Sequence, residues 1–106
     1  QRAEALCQLA RVCRMRGDHA LAYVFARQAA ETPAPPDILF LDTSVYAWRA
    51  RDEYAIACYW TGRHEASAEA CRVLLAAGQL PAAERPRVIA NLNFALRALG
   101  RTEYRE

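Results

Sequence analysis

Two short stretches of this 106-residue chain hold side chains that could do chemistry. In YWTGRHEA, residues 59–66, His64 and Glu65 are adjacent, and a His-Glu doublet is the raw material of an acid–base pair, with His19 as a further imidazole. Asp52 and Glu53 are also consecutive, and two carboxylates facing one another across a substrate serve glycoside hydrolysis. On a helix, however, consecutive side chains point about 100° apart, so this spacing builds no close dyad. Ion pairing with a nearby arginine, Arg49 or a neighbour of Arg51, is the expected role. Arg16-Gly17-Asp18 spells an adhesion tripeptide, but it also spells a helix end, a turn and a cap.

Other chemistry is not written here. The four cysteines, Cys7, Cys13, Cys58 and Cys71, form no C-x-x-C and have no histidine at zinc spacing, so they are expected to be reduced, buried small hydrophobes. G-x-S-x-G, H-E-x-x-H and phosphate-cradling glycine loops are missing, and three of the four glycines end helices. Catalysis, a cofactor and a metal are therefore not expected. With a net charge of +2 and mixed signs along the chain, there is no basic stripe for nucleic acid. No apolar run approaches the roughly 20 residues that span a bilayer, and no signal-peptide layout opens the chain. A soluble cytoplasmic setting is the expectation. All the basic residues except the histidines are arginine and alanine is the commonest residue, which suits a GC-rich bacterial genome.

The elements that must position these residues are helices. Leu6, Leu9, Ala10 and Cys13 recur at i, i+3, i+4 and i+7 and predict an amphipathic helix over residues 1–16. Gly17 can take positive φ and Asp18 can cap a second helix over 19–31. Pro33, Pro35 and Pro36 break the pattern, and the connector's Ile38, Leu39, Phe40 and Leu41 are apolar enough to pack on the helices it joins. Asp42, Thr43 or Ser44 is then expected to cap a third helix ending at Tyr59 or Trp60. A fourth runs over 64–76 with Ala68, Cys71, Leu74 and Leu75 on one side. A fifth carries Val88, Ile89, Leu92, Leu96 and Leu99, with Pro86 in its first turn. Alternation of strand type is lacking, so the class is all-α.

The helices repeat. LARVCRMRGDHALA from Leu9, YAIACYWTGRHEAS from Tyr54 and LNFALRALGRTEYR from Leu92 align without a gap on Gly17, Gly62 and Gly100, bringing Cys13, Cys58 and Leu96 into register. The glycines lie 45 and 38 residues apart, against a period of about 34 for the tetratricopeptide repeat, with the excess in connectors. The chain resembles that family over most of its length. Leu6, Leu9, Ala10, Cys13, Gly17, Ala22 and Ala29 carry the likeness in the first unit, and Tyr54, Ala55, Cys58, Gly62, Ser67 and Leu74 in the second. Departures are Arg51 where the family favours Trp, with Trp48 a turn earlier, and Ala26 and Cys71 in place of a large aromatic.

The resemblance implies a right-handed α-solenoid of two helix pairs plus a fifth capping helix, in units of about 2–31, 43–77 and 83–100. From a start without Met and an end that reads as a helix pair cut short, the expectation is one domain that is a piece of a longer polypeptide. His19 and His64, each two residues past a turn glycine, are expected to pack helices a repeat apart without meeting. By analogy the concave face takes Arg11 and Arg14 from the first unit and Arg49, Asp52, Tyr59 and Trp60 from the second. Arg87, Asn91 and Arg97 join them from the last helix. Such an arginine-framed aromatic face suits an acidic or C-terminal peptide, or another domain of the parent chain. The family's chaperone-tail clamp is not supported, because Cys7, Arg11 and Glu53 stand where it needs Lys and Asn.

Residues 39–81 are in addition similar to helical segments accompanying bacterial family 2 glycosyltransferases. That makes an accessory region of such an enzyme the first alternative to a protein-binding scaffold. A homo-oligomerisation module, formed at an uncapped apolar edge on the fifth helix, is the second.

Overall fold

The computed structural model describes residues 2–34 and 43–106. Its helices are α1 (Ala3–Met15), α2 (His19–Glu31), α3 (Ala50–Trp60), α4 (His64–Ala76) and α5 (Arg85–Ala98). A π-helical segment, Val45–Arg49, runs directly into α3, and a 3₁₀ turn, Ala82–Glu84, leads into α5. The fold is all-α, with no strand among the described residues.

The three aligned glycines sit in one and the same backbone motif. Gly17 has φ +76°, its N–H donates to Arg14 O, and the N–H of Asp18 reaches back to Cys13 O at 2.9 Å. Gly62 (φ +79°) and Gly100 (φ +71°) repeat this, with Arg63 N–H on Cys58 O and Arg101 N–H on Leu96 O. These are Schellman caps, which satisfy the last carbonyls of a helix and need a residue with no Cβ in the left-handed region. Cys13, Cys58 and Leu96, superposed from sequence, are the three carbonyls that close the motif. Asp18 caps α2 as its type predicts, accepting from Leu21 N–H at 3.2 Å.

Arg63, at the corresponding place before α4, makes no side-chain cap. Its guanidinium lies 3.7 Å from the ring centroid of Tyr23 instead, a cation–π contact that ties the second turn to α2. At the other end of the chain α1 gains a distant cap. The Tyr46 hydroxyl accepts the N–H of Ala3 at 3.0 Å and donates to Glu4 at 2.8 Å, satisfying a first-turn donor.

Each helix packs on the next, and α1 and α5 both also touch α3. Small side chains make the contacts: Ala10, Ala22, Ala26 and Ala57 form one buried cluster where α1, α2 and α3 meet. Alanine at crossing points lets axes approach closely and leaves no room for growth. The α4–α5 side is built on larger groups, with Val88 and Leu92 fully buried against Cys71, Leu74 and Leu96. Truncating either to alanine costs about 2–4 kcal/mol.

The buried stripe of α1 differs from the expected one. It runs through Ala3, Leu6, Cys7 and Ala10, while Leu9 is 42% exposed. Ala3, Leu6, Cys7 and Ala10 are themselves spaced i, i+3, i+4 and i+7, so the buried face is rotated from the expected one and Leu9 falls at its rim. On α3 and α4, Ala55, Cys58, Ala68, Cys71 and Leu74 are buried as expected, while Leu75 is half-buried against the core. Thr43 and Ser44 are already helical, whereas Asp42 and the apolar residues 38–41 of the connector lie outside the described residues.

Candidate functional site

Two clefts open on α3. The first, about 220 Å³, is lined by Glu4, Cys7, Gln8, Arg11 and Arg14 of α1 and by Val45, Trp48, Arg49, Asp52 and Glu53. Four of the nine face residues expected from sequence therefore meet here: Arg11, Arg14, Arg49 and Asp52. Two of the four are engaged within the protein. Arg14 Nε donates to both oxygens of Glu53, at 2.6 and 3.1 Å, and Asp52 is gripped from α5 by Arg87 through two hydrogen bonds of 3.0 and 2.9 Å. Arg87 also reaches Glu84. Burial works against its charge, but the hydrogen bonds and field of Asp52 and Glu84 leave its pKa raised.

These pairings correct the local one expected from sequence. Asp52 and Glu53 do not bind Arg49; they point to opposite neighbours, one to α5 and the other to α1. Arg11 and Arg49 have no carboxylate partner among the described residues, and Arg49 stacks over Trp48, 5.3 Å from its ring centroid.

The second cleft, about 240 Å³, is lined by Ala55, Ile56, Tyr59, Trp60, Ser67, Asn91 and Phe94. Tyr59, Trp60 and Asn91 of the expected face meet here. Its wall is aromatic: Trp60 stands edge-on to Tyr59 with centroids 5.4 Å apart, and Tyr59 is 6.1 Å from Phe94. Trp60 remains 60% exposed, a large apolar surface held in place rather than buried. Ser67 is the buried floor, its Oγ donating to Ala55 O at 2.8 Å. Arg97, the last of the nine, covers Phe94 at 5.7 Å and pairs with Glu103.

The histidines belong to the same aromatic array. His19 stacks on Trp60 at 5.0 Å with 14° between the planes, and His64 lies 5.3 Å from Tyr59, so Trp60 and Tyr59 stand between the two imidazoles. The Nδ1 atom of each is buried without a hydrogen-bond partner. An acid–base imidazole is oriented by the bond its second nitrogen makes, and here the neighbouring carboxylate has turned elsewhere. Glu65 accepts two hydrogen bonds from Arg101, at 3.0 and 2.7 Å, which hold its carboxyl below the usual range.

Among the described residues no cysteine forms a disulfide, and Cys7, Cys58 and Cys71 are buried. Burial, aided by the charge of Asp52, pushes the Cys71 thiol up to about 12, and burial raises Cys58 as well. Tyr54 is likewise pushed up to about 12 by burial and by its hydrogen bond with Cys58. Among the described residues no group of three His, Cys, Asp or Glu side chains could hold a metal ion. Among the described residues no helix is long and apolar enough to cross a membrane. Comparison of the chain with protein-family models, curated proteins and solved structures returns no match.

Proposed function

We propose that this chain is a non-catalytic, tetratricopeptide-like interaction module whose α1–α3–α5 face binds a protein segment carrying acidic and bulky apolar side chains. The carrying observation is the pairing of clefts along α3. One holds Arg11 and Arg49, which have no carboxylate partner among the described residues, and the other presents the exposed Trp60 beside Tyr59 and Phe94. Arginine forks bind carboxylates in bidentate fashion, and preorganised aromatics bury large area at small entropic cost.

The repeat reading is supported by the three identical glycine turns, by packing of each helix on its successor and by extents of 43 × 30 × 19 Å. Arg14, Asp52 and Arg87 serve in this reading as clasps that fix the face. The contact residues are Arg11, Arg49, Tyr59, Trp60 and Asn91, with Arg97 at the edge.

A displayed random-peptide library tests this reading. Selection on the parent chain should enrich peptides with acidic residues near one large apolar residue. Arg11→Glu with Arg49→Glu should remove the acidic preference, and Trp60→Ala the apolar one. No enrichment, or enrichment indifferent to both changes, rejects the proposal.

A further inference from the structure

The two clefts share one face of α3. Arg49 already has α-helical backbone angles, φ −65° and ψ −41°. Ile56 and Trp60, seven and eleven residues further on, project within about 20° of it. Arg49 and Trp60 are exposed and Ile56 is half-buried, so one accessible stripe runs the length of the helix. It begins in the cleft between α1 and α3 and ends in the cleft between α3 and α5.

The two ends call for different chemistry. Each carboxylate lining the first cleft is engaged: Glu4 by Arg2 and the Tyr46 hydroxyl, Asp52 by Arg87 and Glu53 by Arg14. Arg11 and Arg49 line it with no carboxylate partner among the described residues, so an acidic group from outside complements them. In the second cleft the Ser67 hydroxyl already donates to Ala55 O, and Asn91 brings a side-chain amide to an apolar wall. A second asparagine of α5 shows what such an amide does to chain that is not helical. Asn93 takes both backbone groups of Tyr104: Oδ1 accepts its N–H at 2.7 Å and Nδ2 donates to its carbonyl at 3.2 Å.

The distance between the ends sets the shape of what can span them. Arg49 is separated from Tyr59 and Trp60 by an axial rise of about 15–17 Å. Crossing α3 from its α1 side to its α5 side adds a lateral step of about 8–10 Å, the spacing of packed helices, for a path of roughly 17–20 Å. Extended chain covers that in roughly five or six residues, and the length of an arginine side chain allows four. Building on the peptide-binding reading of this face, we propose that its occupant is an extended segment, held along its main chain by Asn91. Its acidic residue, on Arg11 and Arg49, and its bulky apolar residue, against Tyr59 and Trp60, lie about four to six positions apart.

A displayed peptide library tests the spacing. Each member carries one Glu and one Phe in either order, from adjacent to about fourteen positions apart, a range that includes a helical span. All other positions are drawn from Ala, Ser, Thr and Gly. Selection on the parent chain should favour separations of about four to six by roughly tenfold over adjacent pairs, which reach one cleft only. Arg11→Glu with Arg49→Glu, or Trp60→Ala, should leave capture weaker and indifferent to separation. Asn91→Ala should weaken it at every separation alike. Circular dichroism checks that each variant is folded. Capture at no separation rejects the peptide-binding reading and this proposal together. Parent capture that is indifferent to separation, or that peaks at adjacent pairs or at the roughly eleven to thirteen positions of a helical ligand, overturns this proposal alone. So does capture that Asn91→Ala leaves unchanged.

Discussion

Asp52 and Glu53 are neighbours on α3, yet Asp52 clasps Arg87 of α5 while Glu53 clasps Arg14 of α1. The roughly 100° between consecutive helical side chains, which denies them a shared substrate, lets one dipeptide hold a helix on either side. Both carboxylates are nearly buried, at 9% and 8% exposure, so each needs its arginine.

Removing either clasp is expected to destabilise the fold. Asp52→Ala and Glu53→Ala should each cost about 1–2 kcal/mol, discounted because the arginine partners are more than a third exposed. Urea unfolding measures this. In a double-mutant cycle Arg87→Ala should cost less in the Asp52→Ala background than in the parent.

Ser67 gives a sharper test of the α3–α4 contact, since its side chain is 1% exposed and its hydroxyl bonds Ala55 O. Ser67→Ala should lose about 0.5–1.5 kcal/mol. Ser67→Leu should lose about 1–3 kcal/mol by overpacking and shift the Tyr59 and Trp60 wall above it. Thermal melts give the stabilities, and tryptophan emission reports the shift.

Thiol labelling should separate the cysteines. At pH 8 Cys71, raised to about 12, and Cys58, also raised, hold almost no thiolate and are buried, so neither should react in the folded chain. Cys13, half-buried on α1, should label first. Denaturant should expose all four to an aromatic disulfide reagent, and early labelling of Cys71 would contradict its burial.

Acid should loosen the contact of residues 101–106 with α4. Glu65 has its folded pKa depressed by Arg101. Its contribution is therefore present above the unfolded value, near 4.3, and is lost as pH falls through the lower folded value. Exchange of the Tyr104 amide hydrogen, corrected for the intrinsic rate, should speed up across that window. Glu65→Gln should remove the acid dependence.

Local features were legible in the sequence because local chemistry sets them. The bounds of α2 and α4 follow from Asp18, Gly17 and Gly62, and the aligned glycines turned out to share one hydrogen-bond pattern. Partners distant along the chain were not legible. Nothing near Asp52 points to Arg87, 35 residues away, or near Glu53 to Arg14, 39 residues away. Leu9 misled because two sets of residues share the i, i+3, i+4, i+7 spacing, and the neighbouring helices meet the one through Ala3, Leu6, Cys7 and Ala10. Arg63 is a poor cap at a capping site, and its contact with the Tyr23 ring accounts for it. The nine expected face residues divide between the two clefts and their clasps, with Arg97 over Phe94 at the margin.

The π-helical segment Val45–Arg49 bears on how this chain tolerates insertions and deletions. Ala50 N–H reaches Val45 O, five residues back, so the segment holds more residues per turn than an α-helix. Deleting a residue there would restore α-helical spacing and swing everything before it by roughly 100°. The Tyr46 hydroxyl would leave Ala3 and Glu4, and α1 would lose its distant cap. The 45-residue interval between Gly17 and Gly62 thus includes a turn whose length is fixed by a hydroxyl at the far end of the first unit. Length variants in that interval belong on the connector side of Thr43, not beyond it.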